Sequence, residues 1–362
     1  MSVHRPFSPL RRDGDGVVIL DQRALPWRRL ERRLTTLAEA AEAIATMRVR
    51  GAPLIGVAAA HGLALAFVTG AADDAALGHA LAVLRATRPT AVNLAWALAR
   101  MEARLRPLPA RARRAAAWRE AAAILAEEAA TCEAIGAHGL GLLRSAPVRA
   151  GRPLRVMTHC NAGRLATPGT GTALAPIYAA RAAGMALEVL VSETRPRNQG
   201  LLTAWELAAA DIGHILIADN AAGLLLARGE VDAVIVGADR IAANGDTANK
   251  VGTYLKALAA RAAGVPFYVA APMSSFDAGV AHGGAIPIEE RAAEEVLAID
   301  GLDDDGAPRR LRLAPDGARA ANPAFDITPA ALVSGFITEH GILTAAGLGD
   351  FLAGKESGKA VI

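Results

Sequence analysis

The run Val231-Asp232-Ala233-Val234-Ile235-Val236, followed at once by Gly237-Ala238-Asp239-Arg240, decides the fold class. Its apolar, β-branched composition reads as a strand buried on both faces, the signature of a parallel sheet. Four further runs share that character: Leu154 to Thr158, Leu187 to Ser192, His214 to Ile217 and Phe267 to Ala271. Alanine-rich segments of helical length separate them. This alternation predicts βαβ units, right-handed crossovers and a doubly wound, mostly parallel, Rossmann-like α/β sheet. Upstream the rhythm differs. Gly16 to Gln22 reads as a short strand, and helical patterns run from about Leu34 through Leu143 with breaks at Gly70, Arg88-Pro89 and Arg106-Pro107-Leu108-Pro109. The segment from Arg144 to Pro153 combines proline, glycine and charge, so it reads as a linker. Two domains are expected, a mainly helical one over 1–146 and a Rossmann-like catalytic one over 152–350. The stretch Gly301 to Asp316, acidic then basic, reads as an exposed loop.

Open α/β sheets bind ligands at the carboxyl ends of their strands. Asp239, Arg240, Asn244-Gly245-Asp246 and Asn249-Lys250-Val251-Gly252-Thr253 crowd such an exit. Only Lys250, Lys256, Lys355 and Lys359 occur among 39 basic side chains, which leaves 35 arginines. A lysine kept at 250 suits a phosphate or oxyanion that needs a compact ammonium; the plain alternative is a solvated lysine opening a helix. The first strand ends in Thr158-His159-Cys160-Asn161-Ala162-Gly163, and Gly169-Thr170-Gly171-Thr172 is expected to open the next helix. Amides at a helix start hold phosphate and lower the pKa of a nearby thiol, so Cys160 is a candidate thiolate. Cys132, inside an alanine-rich helix, reads as structural.

Composition excludes several classes. The chain has 362 residues, 52% hydrophobic residues and a formal charge of only +3, with no basic block interleaved with aromatics, so nothing argues for nucleic acid. Two cysteines make no disulfide framework, and MSVHRPFSPLRRDGDG has no apolar signal-peptide core, so a cytoplasmic protein is expected. Gly51 to Ala72 carries no charge and is long enough to span a bilayer. Its small residues, Pro53 and His61 fit the central helix of a soluble core instead. His159 and Cys160 are adjacent and no other His/Cys cluster has tetrahedral spacing, so no metal is expected. His159 is expected to orient its loop, and His61, His79 and His138 to be packing or surface residues. A dinucleotide site is a loose rival, because Gly169-x-Gly171 lacks the third glycine of that fingerprint.

Longer motifs sharpen the reading: Arg50-Gly51-Ala52-Pro53, Arg88-Pro89-Thr90-Ala91-Val92-Asn93-Leu94, THCNAGRLAT, SETRPRNQG, LTAWEL, GADRIAANGDTANKVGTY, IPIEER and NPAFDITP. In this order, and over most of the chain, they resemble the methylthioribose-1-phosphate isomerase family. The wider family also holds ribose-1,5-bisphosphate isomerases and non-catalytic regulatory subunits of the eukaryotic initiation-factor exchange complex. The subunits are expected to lack the cysteine and aspartate pair. The resemblance implies an aldose–ketose isomerisation of a 5-substituted ribose 1-phosphate in methionine salvage, with no cofactor and no metal, by a homodimer. It points to Asp239 as proton donor to the ring oxygen and to Cys160 acting on the C1–C2 unit. It carries over Arg50, Gly51, Ala52, Arg88, Gln199, Asn249 and Lys250 as substrate contacts, in a site between two domains. Gly200-Leu201-Leu202-Thr203 is shorter and more apolar than the related pattern, and Pro168 and Ser274 to Asp277 also depart from it. A substrate range that includes 5-deoxyribose 1-phosphate follows as an alternative.

Overall fold

The computed structural model describes residues 7–147, 151–352 and 354. Lys355, Lys359 and the middle of the expected linker lie outside them. The chain opens with a three-stranded antiparallel sheet, β1 (Leu10–Asp13), β2 (Gly16–Leu20) and β3 (Glu31–Leu34). Sequence reading finds only β2. LRRD and ERRL each bury a single residue, Leu10 or Leu34, so no apolar run marks them.

Five helices follow: α1 (Leu37–Ala45), α2 (Ala52–Ala66), α3 (Asp74–Thr87), α4 (Val92–Leu105) and α5 (Ala110–Ser145). Thr36 and Glu39 form a capping box that starts α1, and the Asp73 carboxylate caps α3. The breaks expected from glycine and proline fall between helices. Every residue of α2 from Pro53 to Leu65 is buried, because α1, α3, α4 and α5 all pack on it. The charge-free segment is therefore a core helix of 15 residues. Among the described residues no helix is long and apolar enough to cross a membrane.

The second half builds β4 (Leu154–Thr158), α6 (Ala175–Ala182), β5 (Leu187–Ser192), α7 (Gln199–Ala209), β6 (His214–Ile217), α8 (Ala221–Ala227), β7 (Ala233–Val236), β8 (Arg240–Ala242), β9 (Thr247–Lys250), α9 (Thr253–Ala263) and β10 (Phe267–Ala270). After these come β11 (Phe276–Asp277), α10 (Glu294–Leu297), β12 (Ala298–Leu302), β13 (Pro308–Arg312), β14 (Phe325–Thr328), β15 (Gly335–Thr338), β16 (Gly341–Leu343) and α11 (Ala345–Leu352). The main sheet has the order β16-β15-β10-β7-β4-β5-β6, and only β16 is antiparallel to its neighbour. From β4 the order runs outward through β5 to β6, and from β7 it runs the other way. The reversal between β4 and β7 is a topological switch point, the place where doubly wound sheets open a crevice. Alternate residues serve two cores. Val156, Val189, Ile235 and Ile337 face α6 and the end of α5, while Met157, Leu190, Val234 and Phe336 face α8, α9 and α11.

Two elements depart from expectation. Thr247 to Lys250, given no element from sequence, is a buried strand held in a second sheet of order β11-β8-β9-β14, which sets aside the alternative of a solvated lysine opening a helix. The stretch Gly301 to Asp316 contributes to an antiparallel hairpin of β12 and β13 rather than forming a plain loop, although β13 is exposed as expected.

The two halves are tied by Glu128 of α5, which accepts a hydrogen bond from Ser274 Oγ at 3.0 Å; Ser274 in turn accepts from Asn93 Nδ2 of α4 at 2.9 Å. Glu128 Oε2 is buried without a partner, and burial pushes this carboxyl from 4.5 up to about 7. The unfolded chain ionises this group near pH 4.5 while the folded one resists, so stability falls as pH rises from about 4.5 to about 7. Glu128→Gln is expected to raise the thermal midpoint by about 3 °C at pH 8 and to give no gain at pH 4.5. Calorimetry at both pH values checks this; a gain of equal size at both would rule out the ionisation as its cause.

Candidate active site

Six chain segments converge at the switch point. β4 delivers Cys160 and Asn161 just past Thr158, and β7 delivers Gly237, Ala238 and Asp239 just past Val236. The start of α2 brings Arg50, Gly51 and Ala52, the end of α3 brings Arg88, the start of α7 brings Gln199, and β9 brings Asn249 and Lys250. All nine residues expected from sequence line one cavity, together with Met47, Asn161, Thr172, Pro272 and Phe325.

Close backbone approaches make this convergence possible. Gly51 has φ 90° and would place a Cβ 2.4 Å from Ala166 Cα. Only glycine lets α2 begin against the loop after Gly163, where the Leu54 amide donates to Ala166 O at 3.1 Å. The Ala52 amide, in the first turn, has no intrahelical acceptor. Cys160 itself has φ 65°, an uncommon state for a side-chain-bearing residue. It is held from both sides: its amide donates to Thr194 Oγ1 at 2.9 Å, and its carbonyl accepts from Thr203 Oγ1 at 2.8 Å. Thr194 and Asn198 also have positive φ, so backbone strain concentrates around this rim.

The charges are unevenly paired. Arg50 binds the neutral Asn161 through Oδ1 at 2.7 Å and the carbonyl at 2.8 Å. Arg88 reaches Glu289 at 3.3 Å. Lys250, only 7% exposed, lies 4.6 Å from the Phe325 ring centroid. Its carbonyl accepts from Thr253 Oγ1 at 2.6 Å, but among the described residues its ammonium has no hydrogen bond or ion pair with the protein. Burial pushes its ammonium below the usual lysine range, while the Cys160 and Asp239 side chains act to raise it. Asp239 shows the mirror effect: burial raises its carboxyl, against the pull of Lys250, Arg88 and Arg50. A carboxyl held towards its protonated form beside cations without a full set of anions suits an acid acting on an anionic ligand.

Cys160 differs from expectation. Burial raises its thiol above the ordinary value, with Arg50 and Lys250 opposing and Asp239 adding to the rise. The helix that should have lowered it starts only at Ala175. The glycine cluster is also no phosphate cradle. The Gly169 and Gly171 amides donate to Thr167 Oγ1 at 3.3 and 3.0 Å, and the Thr172 amide to Ala162 O at 2.9 Å. Their lack of side chains serves packing: a Cβ on Gly169 would meet Cys132 Cβ at 2.9 Å, and one on Gly171 would meet Gly163 Cα at 2.5 Å. This removes the main support for a dinucleotide site.

The histidines behave as packing or surface groups. His159 is fully buried, bonds Val251 O through Nε2 at 2.9 Å, and is driven to about 3 by burial and Lys256. It stays neutral and pins the β4 exit to the turn before α9. His61 bonds Val57 O and stacks edge-on to Trp118, His138 bonds Thr338 O, and His79 is exposed. Cys132 is buried in α5 and pushed up to about 11. Among the described residues no cluster of three His, Cys, Asp or Glu could hold a metal. Sequence reasoning overlooked Asn161 and Phe325. Both lie inside quoted motifs, THCNAGRLAT and NPAFDITP; position beside Cys160 was a signal for Asn161, whereas Phe325 reaches the site only by pairing with Lys250, which the structure shows.

A Rossmann-ordered sheet with an anion-receptive cavity at its switch point, roofed by a helical half, is the class of protein this chain presents. Residues 48–345 match the Initiation factor 2 subunit family, and the chain belongs to it. It is similar to the methylthioribose-1-phosphate isomerase of Dechloromonas aromatica, 59% identical over 92% of each chain, and to that of Acidiphilium cryptum, 56% identical over 91% of this chain and 90% of the other. Among solved structures it resembles 5-methylthioribose 1-phosphate isomerase from Pyrococcus horikoshii OT3, with 38% identity, 98% coverage of both chains and a TM-score of 0.84. It also resembles translation initiation factor eIF-2B, subunit delta, from A. fulgidus, with 36% identity, coverage of 93% and 96%, and a TM-score of 0.77.

Proposed function

We propose that the chain is an aldose–ketose isomerase that converts 5-methylthioribose 1-phosphate to 5-methylthioribulose 1-phosphate, a step of methionine salvage. The observation that carries this reading is Lys250, a buried ammonium without an anion, in one cavity with Cys160 and a carboxyl at Asp239 that burial biases towards its acid form. A phosphate on the anomeric oxygen blocks spontaneous ring opening. Asp239 protonates the ring oxygen, and the C1–O bond of the ring breaks. The hydrogen on C2 then moves to C1, and the C2 hydroxyl becomes the ketone as its proton returns to the Asp239 carboxylate and restores the acid form. Substrate and product are isomers, so no electrons enter or leave. Arg50, Arg88, Lys250 and the Gly51 and Ala52 backbone hold the phosphate, while Gln199 and Asn249 direct hydrogen bonds to sugar hydroxyls. Beyond Met47, Arg50 and Gln199 a second cavity opens, with Leu25, Pro26, Trp27, Leu201 and Leu202 on one part of its wall and the charged Arg23, Arg197, Glu295, Asp300 and Arg310 elsewhere on it. The apolar part of the wall receives the substituent on C5, so the shortened Gly200-Leu201-Leu202 segment shapes that pocket.

The test is incubation with 5-methylthioribose 1-phosphate and with 5-deoxyribose 1-phosphate in heavy water, without added cofactor or metal, following each ketose by NMR. Turnover of neither sugar would reject the reading. The buried apolar approach to both groups, with Met157, Val234 and Val236 beneath them, excludes water and favours a direct hydride shift over exchange. The product is accordingly expected to lack deuterium at C1. Substantial label there would identify Cys160 as a base that removes the C2 proton.

The chain is further proposed to work as a cytoplasmic homodimer. Both cysteines are free, as a reducing compartment requires. Strand β6 is an open sheet edge with Ile215 and Leu216 exposed. Helices α8 and α9, which pack together, add Leu224 at 53% and Leu255 at 63% exposure. An apolar edge of this kind needs a cover. Leu224→Asp with Leu255→Asp is expected to give monomers in analytical ultracentrifugation; an unchanged dimer, or a monomeric parent, would place the contact elsewhere or remove it.

A further inference from the structure

Behind the cavity wall lies a buried carboxylate that touches none of the reacting groups. Glu206 of α7 is 1% exposed and receives donors only. Its Oε1 accepts from Asn161 Nδ2, and its Oε2 from the Arg164 amide at 2.6 Å and the Tyr178 hydroxyl at 2.7 Å. Gly163 is glycine because a Cβ there would lie 2.2 Å from Glu206 Oε2. The chain has made room for this carboxylate under the Cys160 loop. Asn161 continues the connection in two directions. Its Oδ1 and carbonyl hold the Arg50 guanidinium, while its Nδ2 also reaches Thr203 Oγ1 at 3.1 Å, the hydroxyl that donates to Cys160 O.

We propose that Glu206 is a positioning residue, which through Asn161 sets both the Arg50 guanidinium and the backbone of Cys160. Asn161 is an amide that could be rotated either way. Burial raises the Glu206 carboxyl, but Asn161, Tyr178 and the Arg164 amide all donate to it and oppose that rise; as their acceptor it turns the Asn161 nitrogen inward and the oxygen towards Arg50, so the order of donors is fixed from below. Without that orientation Arg50 would face a donor and withdraw from the cavity. The role of the assembly in catalysis rests on the isomerase reading; the orientation of Arg50 and Cys160 does not.

Thiol chemistry tests the relay without substrate. The charged groups facing Cys160 are Arg50, Lys250 and Asp239, and Arg50 is the leading one that favours the thiolate. In a Cys132→Ser background, the rate of Cys160 alkylation by iodoacetamide is followed against pH. Glu206→Gln puts an amide nitrogen against a donor, and Asn161→Ala deletes the link. Both are expected to raise the alkylation midpoint by about 0.5 to 1 pH unit, and to lower kcat/KM about tenfold or more. Tyr178→Phe, which removes a bond on the far side of Glu206, should leave the midpoint in place. Unmoved midpoints in folded Glu206→Gln and Asn161→Ala would overturn the proposal, and if Glu206→Gln fails to fold, Asn161→Ala alone decides. Moved midpoints in a protein that turns over neither sugar would keep the relay and reject the isomerase reading.

Discussion

Asp239→Asn and Cys160→Ser are expected to fold, to bind the sugar phosphate, and to lose turnover by about 100-fold or more, the usual contribution of one positioned acid for Asp239 and of charge stabilisation at the C1–C2 unit during the hydride shift for Cys160. Both substitutions are near-isosteric, so the surrounding structure has little reason to change. Asp239 is anchored through its amide, which donates to Ala248 O at 2.9 Å, and an asparagine keeps that bond. It cannot supply an acidic proton to the ring oxygen. Cys160 is likewise held through its backbone, by Thr194 and Thr203, so serine inherits the position and the positive φ. What it loses is the polarisable, ionisable sulfur. Cys132→Ser is the control. That thiol sits in α5 against the loop at Gly169, behind Thr167 and not itself among the residues that line the cavity, and turnover per folded molecule should stay near the parent value. Kinetics by ketose formation and binding by calorimetry separate the outcomes. Turnover at the parent rate in either active-site variant would remove that residue from the mechanism.

The parts of this site that sequence disclosed are those encoded by local pattern. Five strands of the main sheet stand out as apolar runs between helical segments, and with them the exits that carry Cys160 and Asp239. Their adjacency follows from the strand order, which places β4 beside β7. The electrostatics were not legible, because they depend on what covers the site. A thiol at a strand exit was read as activated by a helix start, yet the structure surrounds it with protein and raises it. Lys250 stood out as a candidate phosphate ligand by its rarity, but the strand that carries it did not stand out, because TANK is polar. Its strand exists only through pairing with Phe325 and Asp326, some seventy-five positions along the chain. The same long-range pairing puts an aromatic face beside its ammonium. Glu206 was hidden for a similar reason, since a glutamate in a helical LTAWEL pattern gives no sign that three donors meet it in the core.

Lys250→Ala is expected to weaken binding of the sugar phosphate about 10- to 100-fold, because a charge-assisted bond to a buried anion is worth about 1.5 to 3 kcal/mol. The free protein should respond in the opposite sense. In it the ammonium is desolvated, with the Phe325 face beside it and, near it, Cys160 and Asp239, whose anionic forms burial disfavours. Cation–π contact of this kind returns about 1 to 2 kcal/mol, less than removing an ammonium from water costs. The ligand-free variant should therefore melt slightly above the parent, while the stabilisation gained on adding the sugar phosphate should shrink. Those two signs together distinguish a waiting phosphate ligand from a structural lysine, whose loss would lower the melting point and leave the ligand effect intact. Lys250→Arg should not restore affinity, since the guanidinium fork is longer and planar, whereas the position holds a compact ammonium. Lys355→Ala and Lys359→Ala, outside the described residues, serve as controls for a general loss of positive charge. Equal losses of affinity in all three alanine variants would show that net charge, not a site at Lys250, attracts the substrate.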